Sequence, residues 1–273
     1  MKFLWFAIFA ALTASAQQQS ATANLAYKPA ALRNVGIDQK MGAQVPLDLP
    51  FVDSSGHDVK LGQYFGGKPV ILALVYYSCP SLCTMILDGV SRSIKEISTL
   101  TAGKDFDVVV VSFNPRETPE MAADKRTVFL HQYKRPGAEN GIHFLTGEEA
   151  SSRMLADSVG YHYAYDSVSN QYAHPSAIML LTPQGRVARY FYGIDYPVRD
   201  MRFGLEDASG GKISSPIDAV LLYCYCYNPA NGKYGFVIMN AIRIAAGVTL
   251  VLLVGFMLIM FRRDFHAAHT RVG

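Results

Sequence analysis

Charge is scarce in this sequence. Only 17% of its 273 residues are Asp, Glu, Lys or Arg, and they balance to a formal +3. No run of Lys or Arg interleaves with aromatic residues, so the electrostatic footprint of a nucleic-acid site is missing, which argues against nucleic acid as a partner. Tryptophan occurs once, at Trp5, and cysteine four times. The Cys-x-x-Cys spacing usual in a general dithiol reductase is absent, and no Thr-x-x-Cys precedes Cys79, as a peroxidatic thiol would favour. No internal repeat is present. The length suits one well-cored domain with appendages better than two domains.

Half of the residues are hydrophobic, and much of the excess sits at the two ends. Lys2, the run FLWFAIFAALTA and then Ala14-Ser15-Ala16 form the pattern of a secretory signal, with cleavage expected after Ala16. Such a cut removes the only tryptophan. Near the other end, Ile244 to Phe261 carries no charged residue and is followed by Arg262 and Arg263. This predicts a transmembrane helix over 240–261, entered through Asn240 and Arg243. With the preceding domain exported, the tail 262–273 is expected in the cytoplasm.

Between these ends the chain alternates strand and helix signals. Residues 17–44 are polar and irregular and read as a tether. PLDLPF (46–51) and HDVKL (57–61) flank Asp53-Ser54-Ser55-Gly56 as a hairpin. VILALVYY (70–77) has the continuous apolar character of a buried central strand. Leu82, Met85, Ile86, Val90, Ile94, Ile97 and Leu100 then recur at helical intervals from near Pro80. DFDVVVVSF (105–113) is a second buried strand, so the unit is strand-helix-strand and parallel. Thr118-Pro119-Glu120 opens a helix to about Lys134. A strand near 142–146, a helix over 148–159, and SAIMLL and RVARYFY around the turn Pro183-Gln184-Gly185 follow. Ser215-Pro216-Ile217-Asp218 begins a last helix to about Cys224. The fold class is an α/β sandwich with helices on both faces of a central mixed sheet.

All four cysteines lie in two close pairs, Cys79/Cys83 and Cys224/Cys226. In an exported chain a disulfide is the first expectation. Cys79-Pro-Ser-Leu-Cys83, however, sits where a buried strand meets a helix N-terminus, and the unpaired N–H groups there favour thiolates. The spacing brings both sulfurs to one side of a helical turn, which makes either a redox dithiol or a two-sulfur chelate. Cys224-Tyr-Cys226 is too close for an unstrained disulfide and reads as two free thiols or as cysteines paired elsewhere, with an auxiliary copper or redox site as the lesser alternative.

YYSCPSLC after an apolar strand, then VSFNPRETPE, then YAHPSAIMLLTPQGRVARYFYG, resembles the Sco/SenC family of copper-binding, thioredoxin-fold proteins that assist assembly of cytochrome c oxidase. The resemblance covers about residues 36–227. It implies a thioredoxin-like three-layer sandwich, with copper as cofactor and Cys79, Cys83 and His174 as its ligands. It places a copper-binding domain over 45–227 and leaves 228–239 as a linker to the span. The implied partner is the copper-bearing subunit of the oxidase, met on the periplasmic or extracytoplasmic side of the membrane. Cu(I) is soft and accepts two thiolates with an imidazole, so the donor set is chemically apt. The function implied is that of a copper metallochaperone, without covalent turnover. A thiol-disulfide oxidoreductase that keeps the oxidase copper-site cysteines reduced is the alternative.

Two positions depart from the family's habit: Ala173 stands where an acidic residue often precedes the histidine, and Asn114 where Asp is frequent. The other histidines, at 57, 131, 143, 162, 266 and 269, share no metal spacing. They read as surface or packing residues, and for His162, among Tyr161, Tyr163 and Tyr165 in an expected strand, approach to the site is the lesser alternative. Met85 and Met179 read as packing residues, and Arg116 with Glu117 as part of a docking face.

Overall fold

The computed structural model describes residues 35–213, 227–228, 233–234, 243, 246–257 and 260. The chain divides into two compact units, Met1–Ser214 and Ser215–Gly273. In the first, β1 (Gly36–Ile37) precedes the hairpin of β2 (Pro50–Asp53) and β3 (Asp58–Lys60), and β4 (Val70–Val75) leads into helix α1 (Leu82–Glu96). There follow β5 (Asp107–Ser112), α2 (Pro119–Tyr133), β6 (Ile142–Thr146), α3 (Glu149–Ser158), β7 (Tyr161–His162), β8 (Ala164–Asp166), β9 (Gln171–Ala173), β10 (Ala177–Leu181), β11 (Val187–Tyr192) and α4 (Val198–Ser209). The second unit contains the short strand pair β12 (Tyr227–Asn228) and β13 (Lys233–Tyr234), and residues 246–257 are helical.

Seven strands form the main sheet in the order β11-β10-β4-β5-β6-β2-β3. β4, β5 and β6 are parallel, with Ala73 beside Val110 and Val110 beside Phe144. β10 runs antiparallel to β4, and β11 antiparallel to β10. Every residue of β4, β5 and β10 is buried, as apolar strands covered on both faces should be. The crossovers through α1 and α2 advance in one direction along the sheet, which puts both helices on one face. Their contact is tied by Gln132, whose amide donates to Asp88 at 2.8 Å.

The sequence sets the helix limits where its signals are strong. α2 opens with Thr118 as N-cap and Pro119 in the first turn, and closes at Lys134, whose left-handed backbone (φ 54°) sends its N–H to Leu130 O. α4 and the β8–β9 hairpin were not expected from the sequence. The helix expected from Ser215 to Cys224, the cysteines Cys224 and Cys226, the signal segment and the tether up to 34 lie outside the described residues. The expected span 240–261 is described only in part. No helix among the described residues is long and apolar enough to cross a membrane.

Candidate metal centre

The site forms where the parallel strands end. β4 stops at Val75, and Tyr76 to Ser81 loop over to α1, so Cys79 lies in the loop and Cys83 in the first helical turn. The Cys83 N–H points to Cys79 Sγ at 3.4 Å, and the Tyr76 N–H to Cys83 Sγ at 3.4 Å. Both sulfurs are buried in the core. From the other side of the sheet order comes His174, in the short link between β9 and β10, with Nε2 3.1 Å from Cys83 Sγ. The ligating atoms of Cys79, Cys83 and His174 lie within 4.8 Å of one another. Among the described residues these three can hold a metal ion.

The two thiols are driven apart electrostatically. The hydrogen bond from Cys83 does most to hold Cys79 down at about 4; burial opposes it, and the N–H groups of Cys83 and Ser81 and the Tyr76 hydroxyl assist. Burial pushes Cys83 up, reinforced by the proton it shares with Cys79. The opposite directions favour charge on Cys79 over Cys83, at a helix N-terminus. The Tyr76 phenol is raised, by burial first and then by its bond to Cys79.

Aromatic rings wall the histidine. Tyr76 meets its ring edge-on at 5.7 Å between centroids, and Phe113 at 5.5 Å. Phe113 is itself stacked on Tyr163 at 4.3 Å. Behind the imidazole, the Tyr161 hydroxyl lies 3.0 Å from Nδ1.

Glu117 is the residue that sequence reasoning misplaced. Assigned to a docking face with Arg116, it is instead buried, with 8% of its surface exposed. Its carboxylate accepts from the backbone N–H of Tyr77 (2.6 Å) and Ser78 (2.7 Å) and from the hydroxyls of Ser78 (2.6 Å) and Ser112 (2.6 Å). Asn114 Nδ2 adds a longer contact at 3.4 Å. One buried charge thus fastens the cysteine loop to the end of β5. Nothing in the spacing of Glu117 announces this; only its place just after a buried strand could have hinted at it. Arg116 stays outside, its guanidinium 5.3 Å from the Tyr165 ring.

The remaining expectations resolve simply. His162 turns to Asp38, 3.1 Å away, and does not join the cluster. Met179 is fully buried in β10 and Met85 is 40% exposed on α1. His266 and His269 lie outside the described residues. Two sulfurs and one imidazole in a largely apolar pocket suit a soft, low-coordinate ion, and the set lacks the oxygen donors that a hard cation requires.

A family model described as SCO1/SenC matches residues 38–202. No curated protein matches the chain. Among solved structures, the chain is similar to a candidate electron transfer protein from Aquifex aeolicus VF5, with 26% identity, a TM-score of 0.55, and coverage of 63% of this chain and 95% of that one. It is similar to BsSco, described as a member of the Sco family of cytochrome c oxidase assembly proteins, at 19% identity and TM-score 0.50, covering 63% and 97%. It is also similar to ScoI of Arabidopsis thaliana, solved with copper bound, at 20% identity and TM-score 0.48, covering 63% and 99%.

Proposed function

The chain belongs to the SCO1/SenC family, and from that premise we propose that it is a copper metallochaperone, which binds copper through Cys79, Cys83 and His174 and delivers it to the copper-bearing subunit of cytochrome c oxidase during assembly. The observation that carries this reading is the convergence of two sulfurs and an imidazole nitrogen within 4.8 Å. The ion is cargo. Cys79, whose thiol is lowered by the hydrogen bond from Cys83, offers the first bond. Cys83 gives up its proton as the metal enters, since a coordinated thiol is deprotonated. His174, on the link beside the sulfurs, closes the set, and a link between strands can open again for ligand exchange with an acceptor.

The low pKa of Cys79 beside a protonated Cys83 also favours a second reading, a dithiol reductant for the oxidase cysteines. In that reaction the Cys79 thiolate attacks a partner disulfide and releases one partner thiolate. Cys83, losing its proton, then attacks Cys79 Sγ, releases the second partner sulfur and leaves a Cys79–Cys83 disulfide. Export behind the signal over 1–16, and anchoring by 240–261 with the domain outside the cytoplasm, complete the proposal. The apolar composition of both segments supports it.

An anaerobic Cu(I) titration of the reduced full chain against a competing chelator, with Cys224 and Cys226 both replaced by Ser, tests the reading. One tight equivalent is expected, weakened sharply by His174→Ala and by Cys83→Ser. Weak binding indifferent to His174 would reject the chaperone and leave the dithiol reductant.

A further inference from the structure

His174 has to present a particular nitrogen to the sulfurs, and the structure shows what decides which. Its Nε2 faces Cys83 Sγ at 3.1 Å. Its Nδ1 faces two oxygens, the carbonyl of Pro175 at 3.0 Å and the hydroxyl of Tyr161 at 3.0 Å. A carbonyl oxygen can only accept, so the contact with Pro175 is a hydrogen bond only when Nδ1 carries the proton. The Tyr161 hydroxyl has one hydrogen. Its shortest contact is Pro175 O at 2.7 Å, against 3.2 Å to Leu74 O, so the proton goes to Pro175 and the oxygen lone pairs are left to receive Nδ1–H. The contacts at Nδ1 are then satisfied by one tautomer, which leaves the Nε2 lone pair aimed at the sulfur side.

Tyr161 also sits where it can enforce this. Its side chain is fully buried in β7. Its hydroxyl donates to the His174-Pro175 link and lies 3.2 Å from Leu74 O near the end of β4, the strand that carries the cysteine loop. We infer that Tyr161 is the positioning residue of the candidate metal centre: its hydroxyl donates to the carbonyl of Pro175 and accepts from His174, which holds His174 as the Nδ1–H tautomer with Nε2 as the ligating atom. This rests on the copper reading for its purpose, but the tautomer itself is a property of the metal-free chain. An oxygen partner behind a ligating imidazole fixes ring orientation and raises ligand basicity, and its loss typically costs about 10- to 100-fold in metal affinity.

The test uses Tyr161→Phe, which keeps the ring and removes only the hydroxyl. Tyr163→Phe is its matched control, because the Tyr163 hydroxyl is buried with no hydrogen-bond partner among the described residues. The first measurement is a long-range ¹⁵N–¹H correlation spectrum of the reduced, metal-free, histidine-labelled full chain, with His174 assigned by its loss in His174→Ala. The wild type and Tyr163→Phe are expected to show a pyrrole-type Nδ1 and a pyridine-type Nε2. Tyr161→Phe is expected to show a mixture of tautomers and to bind Cu(I) about tenfold more weakly. Protonated Nε2 in the wild type overturns the inference without reference to any variant. So do unchanged His174 signals and affinity in Tyr161→Phe. A wild type with the expected tautomer that takes no Cu(I) upholds the Tyr161 contact and rejects the copper reading instead.

Discussion

Glu117 spends its charge on geometry. Four donors within 2.7 Å converge on its two oxygens, two from the backbone of the cysteine loop and two from hydroxyls. A carboxylate can accept all of them, whereas an amide presents a donor to groups that themselves donate. Glu117→Gln is therefore expected to cost about 2–4 kcal/mol, more than an ordinary surface change, because buried donors lose a charged partner. Urea unfolding measures it, and an unshifted midpoint would show that the loop is held by other contacts. The residues that make the site differ in how visible they are in the sequence. Cys79, Cys83 and His174 are legible from a strand-loop-helix pattern and a family likeness. Glu117 and Tyr161 are not, because a residue that acts through a hydrogen bond across the fold leaves no spacing to read. Asn114 is drawn into the Glu117 network through its amide.

Among the elements, α1 shows most plainly where intrinsic preference yields to packing. Its Gly89 lies mid-helix, where alanine ordinarily gains up to about 1 kcal/mol. A Cβ at Gly89 would stand 2.0 Å from Ile194 O and 3.2 Å from the Tyr196 ring. The helix approaches that loop as closely as a glycine allows, so Gly89→Ala is expected to destabilise the domain by about 1–3 kcal/mol instead. A raised thermal midpoint would contradict this. The same effect explains why α4 escaped notice. Met201, Leu205 and Ala208 are buried at helical spacing, but Gly204 interrupts the propensity of the segment. A Cβ there would meet Leu180 Cδ1 at 2.7 Å, so glycine is kept for close packing on β10. Elements with uninterrupted signals, such as β4, β5, β6 and α2, appear where the sequence puts them. The β8–β9 hairpin is too short and too mixed in exposure to stand out.

For the domain as a whole, the parallel strands separate two environments. Their C-terminal ends carry the candidate metal centre, while Lys68, Asp107 and His143 cluster near their N-terminal ends around a cavity of about 520 Å³. There Lys68 pairs with Asp107 at 2.9 Å and Tyr64 packs on His143 at 4.4 Å between centroids. Burial, with the charges of Arg126 and Lys68, drives His143 down to about 4. Below its unfolded value near 6.5 the unfolded chain then binds a proton that the folded one refuses, so stability falls as pH drops through that window, by up to roughly 3 kcal/mol at its lower end. His143→Gln is expected to flatten this part of the pH–stability curve relative to the wild type. Parallel curves would mean that His143 protonates in place. Asp107, raised by burial against the pull of Lys68, acts in the opposite direction but is common to both chains. By itself the sequence determined the order of the central elements and the strand-to-helix place of Cys79 and Cys83, because apolar runs, caps and a close cysteine pair are local; His174 came from the family resemblance alone. Only the tertiary structure decided that His174 Nε2 lies against the Cys83 sulfur, 91 residues away in the chain, and that a buried carboxylate bonds the cysteine loop and a tyrosine hydroxyl the histidine link, because hydrogen bonds across a sheet depend on register and packing rather than on neighbours in the chain.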